Sequence, residues 1–224
     1  MTVMPENKAV IWDMDGVIAA TAPYHLKAWQ EVFQKRGIDF TEQQFSRHFG
    51  QRNDTIIKGA MGEGVSPEEM EAIANEKEKG FRRRIGQDVK ALPGVIELMH
   101  SLLQHGFKIA LASSAPMENI DFITRSLGIN SLFQSIITGH EVPRGKPSPD
   151  VFLLAAERLG AKPANCIVIE DSVAGVTAAK TAGMFCLAVT NTHPRASLSE
   201  ADLIVDSLAT IDVHDLENIL NRGV

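Results

Sequence analysis

The sequence predicts an α/β fold, with a Rossmann-like parallel sheet as its core and a helical cap domain inserted after the first strand. Short, continuous apolar runs recur along the chain, and helical patterns separate them. Runs that are apolar throughout are typical of strands buried on both faces, and their alternation with helices indicates a parallel sheet covered on both sides. The stretch 19–87 breaks this alternation, because it contains helical patterns and no convincing strand.

The predicted elements of the core follow one another in regular order. The strands are expected at 9–12, 107–112, 135–138, 166–169, 185–189 and 203–205, and the helices at 94–105, 117–127, 149–159, 173–182 and 212–221. Ser148 and Pro149 predict the N-cap and first residue of the third helix. Asp171 and Ser172 could cap the fourth. Glycines predict where four helices end, and these are Gly106, Gly128, Gly160 and Gly183.

Residues 19–87 form the predicted cap. Near its start, apolar residues repeat at helical spacing, namely Leu26, Trp29, Val32 and Phe33. Ser66 and Glu69 have the spacing of a capping box, with a proline in the first turn, and predict a long charged helix to about Ile85. The catalytic core is then residues 1–18 and 88–224, and the two chain crossings near 19–23 and 86–92 are the predicted hinges.

Composition excludes several classes of protein. The chain has 224 residues, of which 44% are hydrophobic, and this suits one sizeable core with a smaller insertion. A net charge of −6 argues against a nucleic-acid or anionic-membrane partner. The sequence has neither an apolar run of about 18 residues nor a secretory signal, so we expect a cytoplasmic protein. Cys166 and Cys186 lie in apolar segments and are expected to be buried free thiols. With no obvious apolar seam, a monomer is expected.

Polar side chains interrupt this apolar pattern at four places, where predicted strands end or a helix begins. They are Asp13 and Asp15, then Ser113 and Ser114, then Lys146, and finally Glu170 and Asp171. Because the carboxyl ends of parallel strands meet at one edge of a sheet, these residues should lie together. Each place alone has an ordinary explanation as a turn, a helix cap or a solvated lysine. All four in this order are far more specific.

The predicted cluster favours phosphoryl transfer. Adjacent carboxylates repel one another, and Mg²⁺, which prefers oxygen ligands, would offset that repulsion. Asp13 could then attack a phosphate ester and form an aspartyl phosphate, with Lys146 balancing negative charge. Asp15, two residues further along an extended segment, can share a face with Asp13 and serve as general acid and then base.

The four motifs resemble those of the haloacid dehalogenase superfamily, most of whose members are Mg²⁺-dependent phosphatases, and the match covers essentially the whole chain. The resemblance implies that Asp13 is the nucleophile, Asp15 the general acid and base, Ser113 a phosphoryl-binding hydroxyl and Lys146 the motif lysine. It further implies a metal site formed by Asp13, the main-chain carbonyl of Asp15, Asp171 and the supporting acid Glu170. The presence of Asp15 argues against the dehalogenase and phosphonatase branches.

The segment 21–29 is similar to the cap entrance of the β-phosphoglucomutase-like branch. His25, Arg52 and Lys77 fall near cap positions that handle substrate in that branch, and Ser114 is a further candidate for substrate binding. The residues also admit simpler interpretations. His25 could be a packed or solvated histidine, and Lys77 lies in a charged run expected to form a solvated helix face.

Three departures from the mutase pattern favour a phosphatase over a mutase. Ala20 stands where much of the family has Asp, and the spacing from Gly50 to Arg52 is one residue shorter. The loop after Ser113 also differs from the one that contacts the distal phosphate in the mutase. We therefore predict hydrolysis of a small phosphorylated metabolite that resembles a sugar phosphate. The alternatives are a β-phosphoglucomutase, or a phosphate-binding module without activity, which would have no use for Asp13 and Asp15.

Overall fold

The protein, described at residues 7–221 by a computed structural model, is built on one six-stranded parallel sheet. The strands are β1 (Ala9–Trp12), β2 (Lys108–Ser113), β3 (Ser135–Thr138), β4 (Cys166–Glu170), β5 (Phe185–Val189) and β6 (Leu203–Val205). Their order across the sheet is β3-β2-β1-β4-β5-β6. The predicted α/β class and parallel core are confirmed, and every predicted strand is present to within one residue at either end.

The helices of the described residues fall into two groups. Four lie between β1 and β2 in the chain, α1 (Ala22–Gln34), α2 (Glu42–His48), α3 (Asn53–Met61) and α4 (Pro67–Ile85). Five accompany the remaining strands, α5 (Val95–Gln104), α6 (Met117–Ser126), α7 (Asp150–Leu159), α8 (Val173–Thr181) and α9 (Val213–Asn221). The start of α7 differs from the prediction. Pro149 takes the N-cap position, and the Ser148 hydroxyl donates to Asp150 Oδ1 over 2.7 Å.

Both faces of the sheet are buried. Along β1, Val10 and Trp12 belong to one hydrophobic cluster, which includes residues of α5, α6 and α9. Ala9 and Ile11 point to a second cluster, which includes residues of α7 and α8. Alternate residues of a strand point to opposite faces, so continuous apolar runs were the correct signal. Strand β6 is the exception, with all three residues only half-buried because it forms an edge of the sheet.

The helices α1–α4 have a hydrophobic cluster of their own. It contains the aromatic residues Trp29, Phe33 and Phe40 and the side chains of Ile57 and Ile73. Other residues of α1 and α4 pack instead into the cluster on the sheet. The separation into a core and a cap at the predicted boundaries stays a prediction. No helix within residues 7–221 is both long enough and apolar enough to cross a membrane.

Candidate active site

The carboxyl ends of the three central strands bring the first predicted residues together. Strand β1 lies between β2 and β4, and Trp12 is level with Leu111 on one side and Ile169 on the other. Asp13 follows β1 directly, and its backbone N–H donates to the carbonyl of Ile169 over 3.0 Å. Ser113 ends β2 and Glu170 ends β4, so all three side chains start from one edge of the sheet.

Lys146 is the buried cation of this edge, with only 2% of its surface exposed. Its Nζ donates to Asp13 Oδ1 over 2.5 Å, to Glu170 Oε1 over 2.6 Å and to the Ala112 carbonyl over 3.4 Å. Burial lowers the pKa of Lys146, but the charges of Asp13 and Glu170 outweigh that effect and raise it above its usual value. The ammonium group is therefore charged and held against the predicted nucleophile.

Both oxygens of Glu170 accept hydrogen bonds in this arrangement. Its Oε1 accepts from Lys146, while Oε2 accepts from the backbone N–H groups of Asp171 and Ser172 and from the Ser172 hydroxyl. Ser172 is also the N-cap of α8, as predicted for that helix. A Cβ at Gly175 would lie 1.9 Å from the Glu170 carboxylate, so only glycine allows α8 to approach so closely. Glu170 thus orients Lys146.

Three carboxylates here have the composition of a site for a hard cation. Oxygens of Asp13, Glu170 and Asp171 lie within 4.8 Å of one another, and all three residues are buried. Within the described part of the chain, Asp171 Oδ1 is buried and has no hydrogen-bond partner. Such an orphaned acceptor needs a ligand. The oxygen-rich donor set fits Mg²⁺.

The pKa values of two of these acids reflect the same repulsion. Burial raises the pKa of Asp13 to about 8, with Glu170 and Asp15 adding to the rise against the opposing charge of Lys146. Burial, Glu170 and Asp13 raise the pKa of Asp171 well above its usual value. A single lysine does not neutralise three buried acids, and a divalent cation would restore the balance.

Asp15 stands apart from the three carboxylates that face one another. Its Oδ1 accepts hydrogen bonds from the Thr21 hydroxyl over 2.6 Å and from His25 Nε2 over 3.1 Å. Thr21 occupies the N-cap position of α1 but makes no side-chain cap bond, because its hydroxyl serves Asp15 instead. The side chain of Asp15 is thus bound by the start of α1. A metal contact through its main-chain carbonyl stays a prediction.

His25 connects Asp15 to Lys77. Lys77 Nζ lies 2.9 Å from His25 Nδ1, and an ammonium group has donors only. Nδ1 is therefore the acceptor, and the proton of the neutral ring is on Nε2, where it is donated to Asp15. The ring is buried and stacks on Phe81 at a centroid distance of 3.8 Å. Of the two simpler interpretations of His25, the packed one is correct.

Lys77 is buried, so the prediction of a solvated face was wrong at this residue. Only 3% of its surface is exposed, and Nζ lies 5.0 Å from the centroid of the Trp29 ring. Ile73 and Phe81, one helical turn on either side, are fully buried. This spacing places Lys77 on the apolar stripe of α4, and it could have been read from the sequence.

The two serines after β2 have different partners. The buried Ser113 hydroxyl accepts from the backbone N–H of Ala115 over 3.1 Å. The Ser114 hydroxyl donates to the Gly50 carbonyl over 2.7 Å, which joins the end of the strand to the loop before α3. Both serines line the same cavity as Asp13 and Asp15.

Arg52 is not brought into that cavity. Its guanidinium pairs with Asp54 over 2.5 Å and donates to the carbonyls of Gly139 and Val142, both over 3.3 Å. It therefore bridges α3 and the loop after β3. A contact between Arg52 and substrate stays a prediction.

The cavity encloses about 430 Å³ of empty space, part of it open to solvent. Asp13, Asp15 and Ser113 contribute from the sheet, and His25 and Lys77 contribute from the helical insertion. Sequence reasoning missed Gln51, Asn53 and Glu78, which also line it. The one available signal was the position of Glu78 directly after Lys77.

Comparison with known proteins agrees with this geometry. The family model described as haloacid dehalogenase-like hydrolase matches residues 7–183. The β-phosphoglucomutase of Bacillus subtilis is 36% identical over 88% of this chain and 88% of its own length. A phosphorylated carbohydrates phosphatase of Thermotoga maritima is 34% identical over 79% of this chain and 82% of its own. The crystal structure of β-phosphoglucomutase from Clostridium difficile superimposes with a TM-score of 0.88 at 30% identity, covering 96% and 98% of the two chains.

The fold and the matched family define the class of this protein. A parallel sheet with a helical insertion after its first strand, and with acids and a lysine gathered at the strand ends, is a scaffold for phosphoryl transfer. The chain belongs to the haloacid dehalogenase-like hydrolases. Its relatives include both phosphatases and phosphoglucomutases, so it is an enzyme of one of these two kinds.

Proposed function

We propose that the protein is a Mg²⁺-dependent phosphatase that hydrolyses a small phosphorylated metabolite, similar to a sugar phosphate, through an aspartyl phosphate on Asp13. The observation that carries the proposal is the position of Asp13. Its carboxylate lines the cavity, is held by the Lys146 ammonium over 2.5 Å and lies within 4.8 Å of a carboxylate oxygen of Asp171, the residue whose Oδ1 has no partner.

In the first step, a carboxylate oxygen of Asp13 attacks the phosphorus of the ester. The bond from phosphorus to the ester oxygen breaks, and the leaving oxygen takes a proton from Asp15. Burial raises the pKa of Asp15. The electrostatic attraction of the adjacent His25 and the hydrogen bonds from His25 and Thr21 outweigh burial and hold that pKa below its usual value. The approach of a phosphate dianion raises the pKa of Asp15, because like charges repel. Asp15 therefore takes up its proton as substrate binds.

In the second step, Asp15 is a carboxylate again and works as a base. It takes a proton from a water molecule whose oxygen attacks the phosphorus of phospho-Asp13. The acyl phosphate bond breaks, which releases inorganic phosphate and regenerates the Asp13 carboxylate. The hydrogen bonds from Thr21 and His25 keep Asp15 oriented in both steps.

Asp13 and Asp171 are the proposed side-chain ligands of Mg²⁺, with Glu170 and the main-chain carbonyl of Asp15 as further proposed members of the site. The bound cation would supply positive charge that keeps the acids ionised and offsets the charge of the phosphoryl group. Lys146, which is paired with Asp13, adds a fixed positive charge. This charge stabilises the negative charge that develops at phosphorus.

The test is release of inorganic phosphate from a panel of sugar and sugar-alcohol phosphates in Mg²⁺. We expect turnover of at least one ester, and the Asp13→Asn variant should lose at least about 10³-fold in kcat because the nucleophile is gone. Near wild-type turnover by that variant would remove Asp13 from its role. Binding of an ester without turnover would revive the binding-module alternative.

Similarity to β-phosphoglucomutases supports a mutase as the second candidate. A mutase returns the phosphoryl group to the sugar, so it needs a bisphosphate activator and releases little phosphate. Phosphorus NMR with β-glucose 1-phosphate, Mg²⁺ and a trace of glucose 1,6-bisphosphate distinguishes the two. We expect inorganic phosphate to appear, whereas glucose 6-phosphate without inorganic phosphate would identify a mutase.

A cytoplasmic location and a monomeric state complete the proposal. Both rest on the sequence, through its net charge of −6 and its lack of a long apolar run. Light scattering coupled to gel filtration measures the second, with the mass of a single chain expected.

A further inference from the structure

Glu78 is a buried carboxylate that the proposed reaction does not use. Only 5% of its surface is exposed. Oε1 accepts from Asn53 and from Lys77, both over 2.8 Å, and Oε2 accepts from Asn119 over 2.7 Å. Burial raises the pKa of Glu78, but the charge of Lys77 and the hydrogen bonds from Lys77 and Asn53 hold it below its usual value. The side chain is therefore ionised at neutral pH.

Glu78 lies on α4 and lines the cavity from the helical insertion, whereas Asp13 lines it from the edge of the sheet. Hydrogen bonds connect the two sides stepwise, from Asp15 to His25 over 3.1 Å, then to Lys77 over 2.9 Å and to Glu78 over 2.8 Å. Glu78 and Asn53 line both this cavity and a second cleft outside it. A substrate with its phosphate at Asp13 would direct its other end toward this shared wall.

The wall of the cavity around Glu78 lacks an available positive charge. Of the described residues that line the cavity, Lys77 is the one lysine or arginine, and its charge is matched by Glu78. The Arg52 guanidinium already donates hydrogen bonds to Asp54 and to backbone carbonyls. A second phosphate placed here would meet the buried Glu78 carboxylate and would find among these lining residues no lysine or arginine that is not already paired, so like charges would repel.

Glu78 can instead accept one more hydrogen bond. A carboxylate offers about four lone-pair positions, and the three donors from Asn53, Lys77 and Asn119 leave about one of them open. The matching group on a ligand is a donor without negative charge, and a sugar or polyol hydroxyl is the simplest. A hydroxyl bound there would satisfy the carboxylate without adding to the charge of the site.

We propose that Glu78 determines specificity, restricting the substrate to small monophosphate esters whose far end carries hydroxyl groups and excluding bisphosphates. The proposal rests on the phosphatase function proposed above. It is independent of how fast the ester is hydrolysed, because it concerns binding at the end away from Asp13.

The test measures binding in the Asp13→Asn background, where turnover cannot interfere. Calorimetry in Mg²⁺ compares three matched pairs, fructose 1-phosphate with fructose 1,6-bisphosphate, glucose 1-phosphate with glucose 1,6-bisphosphate, and glucose 6-phosphate with the same bisphosphate. In at least one pair we expect the monophosphate to bind at least about tenfold more tightly. Adding Glu78→Gln should reduce that ratio to about threefold or less, chiefly through tighter binding of the bisphosphate.

Glu71→Gln is the matched control, because Glu71 is an exposed acid that lines the outer cleft and not the cavity. It should leave the ratio unchanged. Equal or tighter binding of every bisphosphate, or a ratio that Glu78→Gln does not change, overturns the proposal. If Glu78→Gln fails to fold, the ratios in the Asp13→Asn protein alone decide. Failure of the phosphatase function appears separately, as an absence of phosphate release by the wild-type enzyme.

Discussion

Among the single residues of the site, the acids outnumber the cations. Asp13 and Glu170 share Lys146, whereas Asp171 has one oxygen bound by Thr192 and the other without a partner. Gly16 fits against Asp171 because a Cβ there would lie 1.9 Å from its Oδ2. The loop after β1 therefore packs onto an acid whose charge is not balanced by the protein alone.

Asp171→Asn tests this imbalance through stability. The wild-type protein should gain several degrees in Tm with millimolar Mg²⁺, because a ligand that binds only the folded state stabilises it. The variant should lose that gain and melt higher than the wild type in EDTA, since a buried unbalanced acid is gone. Asp206→Asn, at a largely exposed acid, is the control and should retain the gain. A full Mg²⁺ effect in Asp171→Asn would contradict the assignment.

The stabilisation by Mg²⁺ should also depend on pH. The pKa of Asp13 is raised to about 8 and that of Asp171 is raised as well, so both acids hold protons at lower pH. Bound metal must displace those protons. The shift in Tm caused by Mg²⁺ should therefore grow as pH rises toward about 8 and level off above it. A shift that is constant or that falls over this range would contradict the account.

The positions of the residues proposed to carry chemistry were predictable where those residues lie at the end of a strand. Asp13, Ser113 and Glu170 follow continuous apolar runs. In a parallel sheet the carboxyl ends of the strands lie at one edge, so residues at these positions come together there. The burial of Lys77 was not predicted, because charged neighbours outweighed the apolar residues one turn away. Glu78 has no local signal of burial, since its partner Asn119 is 41 residues distant in the chain.

Helix α4 is the element that joins the insertion to the sheet domain. Through Glu78 and Arg82 it holds Asn119 of α6, with the Arg82 guanidinium donating to Asn119 Oδ1 over 2.5 Å. The sequence predicted the start of α4 from Ser66 and its end at about Ile85. It did not predict which face turns toward α6, because that depends on how two distant helices pack.

Asn119→Ala tests this junction. The change removes one of the three hydrogen bonds to buried Glu78 and the hydrogen bond from half-buried Arg82, so the free energy of unfolding should fall by about 1–3 kcal/mol. KM for the best ester should rise as well, because Glu78 lines the cavity. Denaturant unfolding and steady-state kinetics measure the two effects. Asp121→Ala on the same helix, at a half-exposed side chain, should change stability by less than about 0.5 kcal/mol. Equal effects of the two variants would contradict a special role for Asn119.

Across the whole molecule, the insertion and the strand ends together line the site. The two chain crossings run side by side, since Leu92 N–H donates to the Ile18 carbonyl over 2.8 Å and Ala19 pairs with Ala91 in an antiparallel bridge. The two segments predicted as hinges are thus hydrogen-bonded to each other. A substrate enclosed between insertion and sheet would be shielded from water, which favours charge stabilisation at phosphorus.

The whole fold was predictable because its strands and helices differ in period and follow in simple alternation. The order of the strands and the covering of both faces follow from general rules of parallel sheets. The substrate cavity was not predictable. Its walls include α1, α4 and the loop before α3, and the packing of these segments against one another leaves no local pattern in the sequence. The protein partners of Arg52 were likewise not predicted, since its guanidinium binds Asp54 and backbone carbonyls of the loop after β3.

The central claim is that Asp13 itself becomes phosphorylated. The enzyme is quenched in acid during turnover of its best ester with Mg²⁺, and the acyl phosphate is reduced with borohydride, which converts a phosphorylated aspartate to homoserine. Peptide mass spectrometry then locates the product. We predict homoserine at residue 13 and unmodified aspartate at residues 15 and 171. Rapid phosphate release with no homoserine at residue 13, or with homoserine at another acid, would contradict the mechanism.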